Sequence, residues 1–311
     1  MNFTITALGG VAVGHYTDLE SATGTTVLTF PEPNTVVVDV RGGAPGTRET
    51  DAFGDAIKPV TINALVFSGG SAFGLASADG VVAAIEAEGR GAPTPMGPVP
   101  IVSAAIVYDL MVGSSDVRPG PVEGALAYAV RTGDPVELGS VGAGTGTTVA
   151  GWRGEDHVRK GGIGSAMVDI GEGKVGALVV LNAIGDVFTL EGEPLTGGDP
   201  GALGDWDGPP QGVNNTALIC VATDSGVDDR NELRRLAIRA HDALGATVRP
   251  THTRYDGDTV FVVSFGSGDA GHAVNLDKLQ QAAFLAVGRA IESAVREAVS
   301  VCGIPRAGAP Q

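Results

Sequence analysis

Three short aliphatic runs, at residues 35–40, 61–67 and 175–182, are rich in Val, Ile and Leu with few polar interruptions. Runs of that length and composition predict buried strands. Between them the period changes. Residues 71–89 set Phe73, Leu75, Val81, Val82 and Ile85 in an Ala-rich background that closes on Gly89, predicting a buried helix, and 122–131 predict a weaker one. A further strand begins at Thr216 with TALICVAT. Asp229 and Glu232 then stand at capping-box spacing. Leu233, Leu236, Ala237, Ala240, His241 and Leu244 share one helical face after that cap, with Gly245 as the predicted stop. Residues 246–253 and 259–266 read as two strands joined by an Asp256-Gly257 hairpin turn. Residues 277–301 read as a long helix burying Leu279, Ala283, Ala286, Val287, Ala290, Ala294 and Val301. Strands alternating with helices predict a mixed α/β fold in which helices cover sheets.

Residues 191–215 break this rhythm. The run EGEPLTGGDPGALGDWDGPPQGVNN is crowded with Gly, Pro and Asp and carries no apolar period. So long a structureless stretch is uncommon inside a compact domain. It stops abruptly at Thr216. An irregular segment feeding a rigid strand suits a processing site, because the strand holds one side of the scissile bond. A surface loop or an interdomain linker has the same composition.

The 311 residues are 43% hydrophobic, enough for a large core in one large domain or two modest ones. With 48 glycines and only 5% aromatics, that core must pack largely through close backbone approach. The formal charge of −16 repels phosphate backbones and anionic lipid, which makes nucleic acid and membrane surfaces poor partners. Cys220 and Cys302 lie in apolar stretches without a CxxC partner and read as small core residues. The five histidines show no ligand spacing, so no metal is expected. SGGSAFG at 68–74 sits where a phosphate loop would, but it lacks the Gly-Lys-Ser/Thr ending, and close helix–sheet packing explains it better. No cofactor is expected. Residues 1–15 lack the pattern of a signal peptide and no apolar run reaches membrane-spanning length, so a cytoplasmic location is expected.

Nine blocks in one order resemble the endo-type 6-aminohexanoate-oligomer (nylon-oligomer) hydrolases and, more distantly, the DmpA-like D-aminopeptidases and β-peptidyl aminopeptidases. They are GGVAVGHYTD, RGGAPGTRETD, LVFSGGSAFGLASADGV, VPIVSAAIVYDL, VGAGTGTT, KGGIGSA, VGALVVLNAIGDV, NNTALICVATD and RPTHTRYDGDTVF, which together run along nearly the whole chain. The resemblance implies a single four-layer αββα sandwich of the N-terminal nucleophile hydrolase type. It also implies autocatalytic cleavage at Asn215-Thr216 into fragments 1–215 and 216–311 that remain one folded unit. Family members assemble into closed oligomers, so a homo-oligomer, such as a tetramer of cleaved heterodimers, is expected.

The chemistry follows from the groups. A mid-chain threonine hydroxyl is a poor nucleophile. After cleavage Thr216 would carry its own α-amine, whose ordinary pKa of about 8 leaves a useful neutral fraction to take the hydroxyl proton. The same hydroxyl would first attack the Asn215 carbonyl, giving an ester that water opens. By resemblance, Asn182 supplies a side-chain donor to the oxyanion of both reactions, an interaction commonly worth about 3 kcal/mol in the barrier. Read alone, Asn182 would equally close a turn before Gly185. Lys160 resembles the family's active-site lysine, whose charge favours a neutral Thr216 amine; alone it would read as a solvated lysine. Asp256 and Asp258 match a pair of active-site acids that orient Thr216 and balance Lys160, although Asp-Gly is also ordinary turn chemistry. Tyr108 matches a tyrosine near the nucleophile, or a core tyrosine with a satisfied hydroxyl.

The aminopeptidase branch carries an acid two positions before that tyrosine, where it grips the substrate's free amine. Ile106 stands there instead. With Thr preceded by Asn at the cleavage point, this favours endo-type cleavage of linear aliphatic amides, 6-aminohexanoate oligomers being the best-matched substrate. Three alternatives stay open. One is an aminopeptidase using another acid such as Asp109, one an acyltransferase of the ornithine acetyltransferase type, and one an unprocessed binding protein on the same fold.

Overall fold

The computed structural model describes residues 2–54, 58, 60–199, 201, 215–266 and 274–308. Much of the predicted irregular run, 202–214, therefore lies outside the described residues. In chain order the elements are β1 (Ala12–Asp18), β2 (Thr23–Thr29), β3 (Asn34–Val40), β4 (Thr47–Arg48), β5 (Ala64–Ser68), α1 (Ser77–Ala87), β6 (Val102–Ile106), α2 (Pro121–Ala129) and β7 (Thr148–Val149). There follow β8 (Arg159–Lys160), β9 (Gly162–Asp169), β10 (Lys174–Asn182), β11 (Asp186–Val187), β12 (Thr216–Thr223), α3 (Arg230–Thr247), β13 (Val248–Arg249), β14 (Thr259–Phe265) and α4 (Leu276–Arg296).

Two five-stranded sheets, ordered β1-β2-β5-β6-β4 and β3-β14-β12-β10-β9, pack face to face. Strand parity builds the layers, because successive side chains point to opposite faces. Along β12, Leu218, Cys220 and Ala222 join Leu65, Phe67 and Ala105 of the other sheet in a core between the sheets. The intervening Ala217, Ile219 and Val221 pack outward against Leu233, Leu236 and Ala240 of α3 and Ala283, Val287 and Ala290 of α4. On the far side, Val27, Ala64, Val66 and Ala104 pack against Val81 and Ile85 of α1 and Ala127 and Tyr128 of α2. The result is four layers, helices–sheet–sheet–helices. The aliphatic runs of β5 and β10 bury both faces because both faces are covered, whereas β3 ends half-exposed at Val40.

Several expectations change. The helix α3 runs through Gly245 to Thr247, whose hydroxyl donates to the Ala243 carbonyl at 2.8 Å and extends the last turn. Only Val248 and Arg249 of the predicted strand 246–253 are extended, and they pair with β11, not β14. Pro250 has no N–H to continue a ladder. The Asp256-Gly257 hairpin therefore does not form. Instead β14 enters parallel to β12 and antiparallel to β3. The predicted helix 71–89 opens as a 3-10 turn over Ser71–Ala76. The long C-terminal helix stops at Arg296, short of Val301. Cys220 is fully buried, as expected of a core residue, but Cys302 is exposed. Among the described residues no helix is long and apolar enough to cross a membrane, and no group of three or more His, Cys, Asp or Glu is placed to hold a metal ion.

Candidate active site

The site forms at one end of the sandwich, where β10 finishes and β12 begins. Asn182 and Thr216 are paired opposite one another. Each shares parity with inward neighbours, Val180 and Leu218, so both side chains face the space between the sheets. Both are almost wholly buried, at 1% and 3% exposure.

The Thr216 hydroxyl lies against the carbonyl of the residue before it. Its Oγ1 is 2.5 Å from the Asn215 carbonyl oxygen. That same oxygen accepts a hydrogen bond from the Gly257 backbone N–H at 2.8 Å, and the Asn215 N–H donates to the Tyr255 carbonyl at 3.0 Å. The Asn215 peptide is thus clamped on both sides by the segment before β14, with Asn215 and Asp256 forming an isolated parallel bridge. Gly257 must be glycine here, since a β-carbon would stand 2.8 Å from Thr216 Oγ1 and 2.9 Å from the Ala44 carbonyl oxygen. The sequence carried a signal for Gly257 in its Asp-Gly pair, but that signal pointed to a hairpin.

The two acids occupy different positions. Asp258 is buried, and its Oδ1 accepts from the Ala217 backbone N–H at 2.7 Å, one residue beyond Thr216. Its Oδ2 accepts from the Thr251 hydroxyl, the His252 N–H and His252 Nδ1. Asp256 accepts from the Thr253 N–H at 2.7 Å. Burial and the adjacent Asp258 charge push the Asp256 carboxyl up to about 6, against the pull of the Thr253 hydrogen bonds and His252.

Asn182 spans the two sheets. Its Oδ1 accepts from the Thr148 N–H at 2.8 Å, and its Nδ2 donates to the Tyr108 carbonyl at 3.1 Å. Tyr108 therefore meets Asn182 through its main chain, just after β6. Lys160 is fully buried on β8, and its Nζ donates to the carbonyls of Thr145 and Thr147 at 2.6 Å each. That grip fixes the turn leading into Thr148, which in turn fixes Asn182. Desolvation lowers the ammonium to about 7 despite the attraction of Asp109. Asp109 is itself pushed upward by burial, against hydrogen bonds from the Gly70 N–H and the Thr23 hydroxyl. In both groups desolvation outweighs their mutual attraction.

Asp109 also explains the SGGSAFG run. The Gly70 N–H points to the Asp109 carboxylate, and a β-carbon on Gly69 would fall 2.0 Å from Asp109 Oδ2. The glycines thus make room for the protein's own carboxylate. At 3% exposure and with both oxygens engaged, Asp109 is poorly placed to grip a substrate amine, and Ile106 is buried.

Set beside solved structures, this mixed α/β fold is similar to those of Ntn-hydrolase aminopeptidases. A Burkholderia sp. beta-aminopeptidase matches with TM-score 0.75 and 22% identity, over 99% of this chain and 91% of that one. The L-aminopeptidase D-Ala-esterase/amidase of Ochrobactrum anthropi, described as a variant of the Ntn hydrolase fold, matches with TM-score 0.75 and 23% identity, over 95% and 86%. The model of peptidase family S58 matches residues 4–307, and the chain belongs to that family. It is a hydrolase acting on amide bonds. A protein of Mycobacterium tuberculosis strain H37Rv described as an uncharacterized aminopeptidase is 38% identical over 340 aligned positions, 97% of this chain and 96% of that protein. The 6-aminohexanoate-oligomer endohydrolase of Paenarthrobacter ureafaciens is 29% identical over 273 positions, 82% of this chain and 73% of that enzyme.

Proposed function

We propose that the chain is a self-processing amide hydrolase that cuts its own Asn215-Thr216 bond and then uses Thr216 as an N-terminal nucleophile. The observation that carries this reading is the contact of the Thr216 hydroxyl with the Asn215 carbonyl, while the Gly257 N–H holds the same oxygen. Before cleavage no free α-amine is present to act as base. Asp256 bridges Asn215 through the backbone and its carboxyl is raised to about 6, so it is the group proposed for that role near neutral pH. In this scheme Thr216 Oγ1 bonds to the Asn215 carbonyl carbon as its proton passes to Asp256, and the Gly257 N–H stabilises the oxyanion. The C–N bond breaks, the proton moves to the departing Thr216 nitrogen, and an ester remains. Water hydrolyses that ester, leaving the Asn215 carboxylate and a free hydroxyl beside a free amine on Thr216. In turnover that amine takes the place of Asp256 as proton acceptor, and Asn182 serves the substrate oxyanion.

The substrate reading is endo-type cleavage of linear aliphatic amides such as 6-aminohexanoate oligomers. It is supported by the buried, fully engaged Asp109 and by Ile106 where an amine-gripping acid would be needed. The likeness to a mycobacterial protein described as an uncharacterized aminopeptidase favours an aminopeptidase as the second reading. A homo-oligomer of cut units accords with Val122, Leu126 and Val130, which stand exposed on and just after α2 at helical spacing, and light scattering tests it.

The deciding experiment pairs intact mass and N-terminal sequencing of purified protein with the Thr216→Ala variant. The expected small fragment begins Thr-Ala-Leu-Ile, and Thr216→Ala remains one inactive chain. An active enzyme whose backbone is whole between Asn215 and Thr216 overturns the proposal. Rates on a blocked 6-aminohexanoate oligomer against a short β-peptide amide then separate the two substrate readings.

A further inference from the structure

Asp258 anchors the nucleophile strand through Ala217, and His252 anchors Asp258. The imidazole donates from Nδ1 to Asp258 Oδ2 at 2.7 Å, and the His252 backbone N–H donates to the same oxygen at 3.1 Å. A carboxylate only accepts, so His252 carries its proton on Nδ1. Its Nε2 is buried without a hydrogen-bond partner. His241 of α3 stands edge-on to it, ring centroids 4.8 Å apart. The His241 Nε2 contacts the Asp39 carbonyl, and its Nδ1 is also buried without a partner.

The charged groups fall into two sets. Lys160 faces Asp109, and the ring beside Asp256 and Asp258 is His252, which draws the Asp256 carboxyl downward. The sequence reading had set Lys160 against the two acids. His252 also sits at φ 54°, in the left-handed region that glycine or asparagine adopts more readily. A turn that needed only this backbone conformation would be served by either.

We propose that His252 is a positioning residue for the amide-cleaving site. It locks the Asp258 carboxylate, and through Ala217 it fixes Thr216 against the Asn215 carbonyl. The inference rests on the self-processing reading above. Asp256 and Asp258, on the segment leading into β14, and His241 on α3 flank the His252 imidazole, and Asp39 and Arg41 at the end of β3 act in turn on His241. Burial holds His241 down at about 4, so it is neutral in the working range.

The test compares wild type, His252→Gly and His252→Asn. Glycine keeps the left-handed backbone and leaves an imidazole-sized gap. Asparagine keeps the backbone and one side-chain N–H donor. Self-cleavage is followed by intact mass, turnover on the cleaved protein, and both against pH. Misplacing the attacking atom by about 1 Å commonly costs on the order of 100-fold in rate, and His252→Gly is expected to lose that much. Added imidazole restores most of it, and His252→Asn retains an intermediate rate. Removing His252 also takes away its downward pull on Asp256, moving the acid limb of self-cleavage to higher pH in both variants. Wild-type rates with an unmoved acid limb in folded variants overturn the inference. So does a rate loss that imidazole leaves untouched while the acid limb stays in place. If wild-type protein itself fails to cut at Asn215-Thr216, the parent reading fails instead, and the two failures are distinguishable.

Discussion

Replacing Lys160 with methionine isolates the consequence of burying an ammonium at the floor of the site. Lys160 has an ordinary value of 10.5 and is lowered to about 7 in the fold. Between those two values the unfolded chain binds a proton that the folded chain does not, so stability rises with pH across the window. Below about 7 both states are protonated and the penalty is fully present, on the order of 4 kcal/mol at pH 7 and about 2 kcal/mol at pH 9. The difference, about 2 kcal/mol between pH 7 and 9, is the measurable quantity. It amounts to about 1 M in urea midpoint. Self-cleavage would obscure it, so both proteins carry Thr216→Ala. Lys160→Met also removes the donor to the Thr145 and Thr147 carbonyls, but that cost is independent of pH and leaves the slope untouched. The Cys220 thiol, pushed far up by burial, weakens both proteins equally as pH rises and cancels in the comparison. Urea unfolding at pH 7, 8 and 9 is expected to show the lysine protein gaining on the methionine protein at each step. Parallel stabilities across that range would refute the claim that Lys160 is desolvated.

Asn182→Ala is expected to slow turnover by about 100-fold or more, the usual loss for one oxyanion donor. Self-cleavage should slow by a smaller factor because the Asn215 carbonyl already has the Gly257 N–H; equal losses, read by single-turnover kinetics, would mean one donor set serves both. Gly257→Ala should block self-cleavage, since its β-carbon would displace the Thr216 hydroxyl, and a wild-type rate on a denaturing gel counts against the clamp. Self-cleavage by wild type should fall as pH drops through about 6, where Asp256 takes up a proton and ceases to be a base. A rate flat from pH 5 to 8 removes Asp256 from that role.

Patterns of apolar residues made the strands readable, because the sandwich covers both faces of β10, β12 and β14 and such strands need no polar alternation. The layer order was not readable from periodicity. It depends on β12 and β14 running parallel, a long-range pairing with no local signature. Helix ends failed for a similar reason. Gly245 was read as a stop, but packing of Leu244 and a Thr247 hydroxyl bond carried α3 past it. Thr216, Asn182 and the two acids were named through family blocks. Parity and strand pairing account for bringing Asn182 and Thr216 together.

The most instructive misreading is Asp256-Gly257, because the same two residues fit two physical tasks. A hairpin asks for a residue without a β-carbon so that the backbone can turn. The clamp on Asn215 asks for one so that a backbone N–H can approach a carbonyl with a hydroxyl already in contact. Locally the two demands look alike, and hairpin statistics favour the first. What separates them lies seven residues upstream, at Pro250, which ends the β13 ladder and denies Asp256-Gly257 a partner strand to turn from. A turn motif without its second strand leaves an N–H free to donate elsewhere. Here it donates to the Asn215 carbonyl, the bond proposed to break. The same logic extends to Asp109 and the Gly69-Gly70 pair, where glycines that resembled a phosphate cradle admit a carboxylate from the protein itself. In both places glycine marks a close approach to a polar group, and the identity of that group is decided by which distant strand the fold brings alongside.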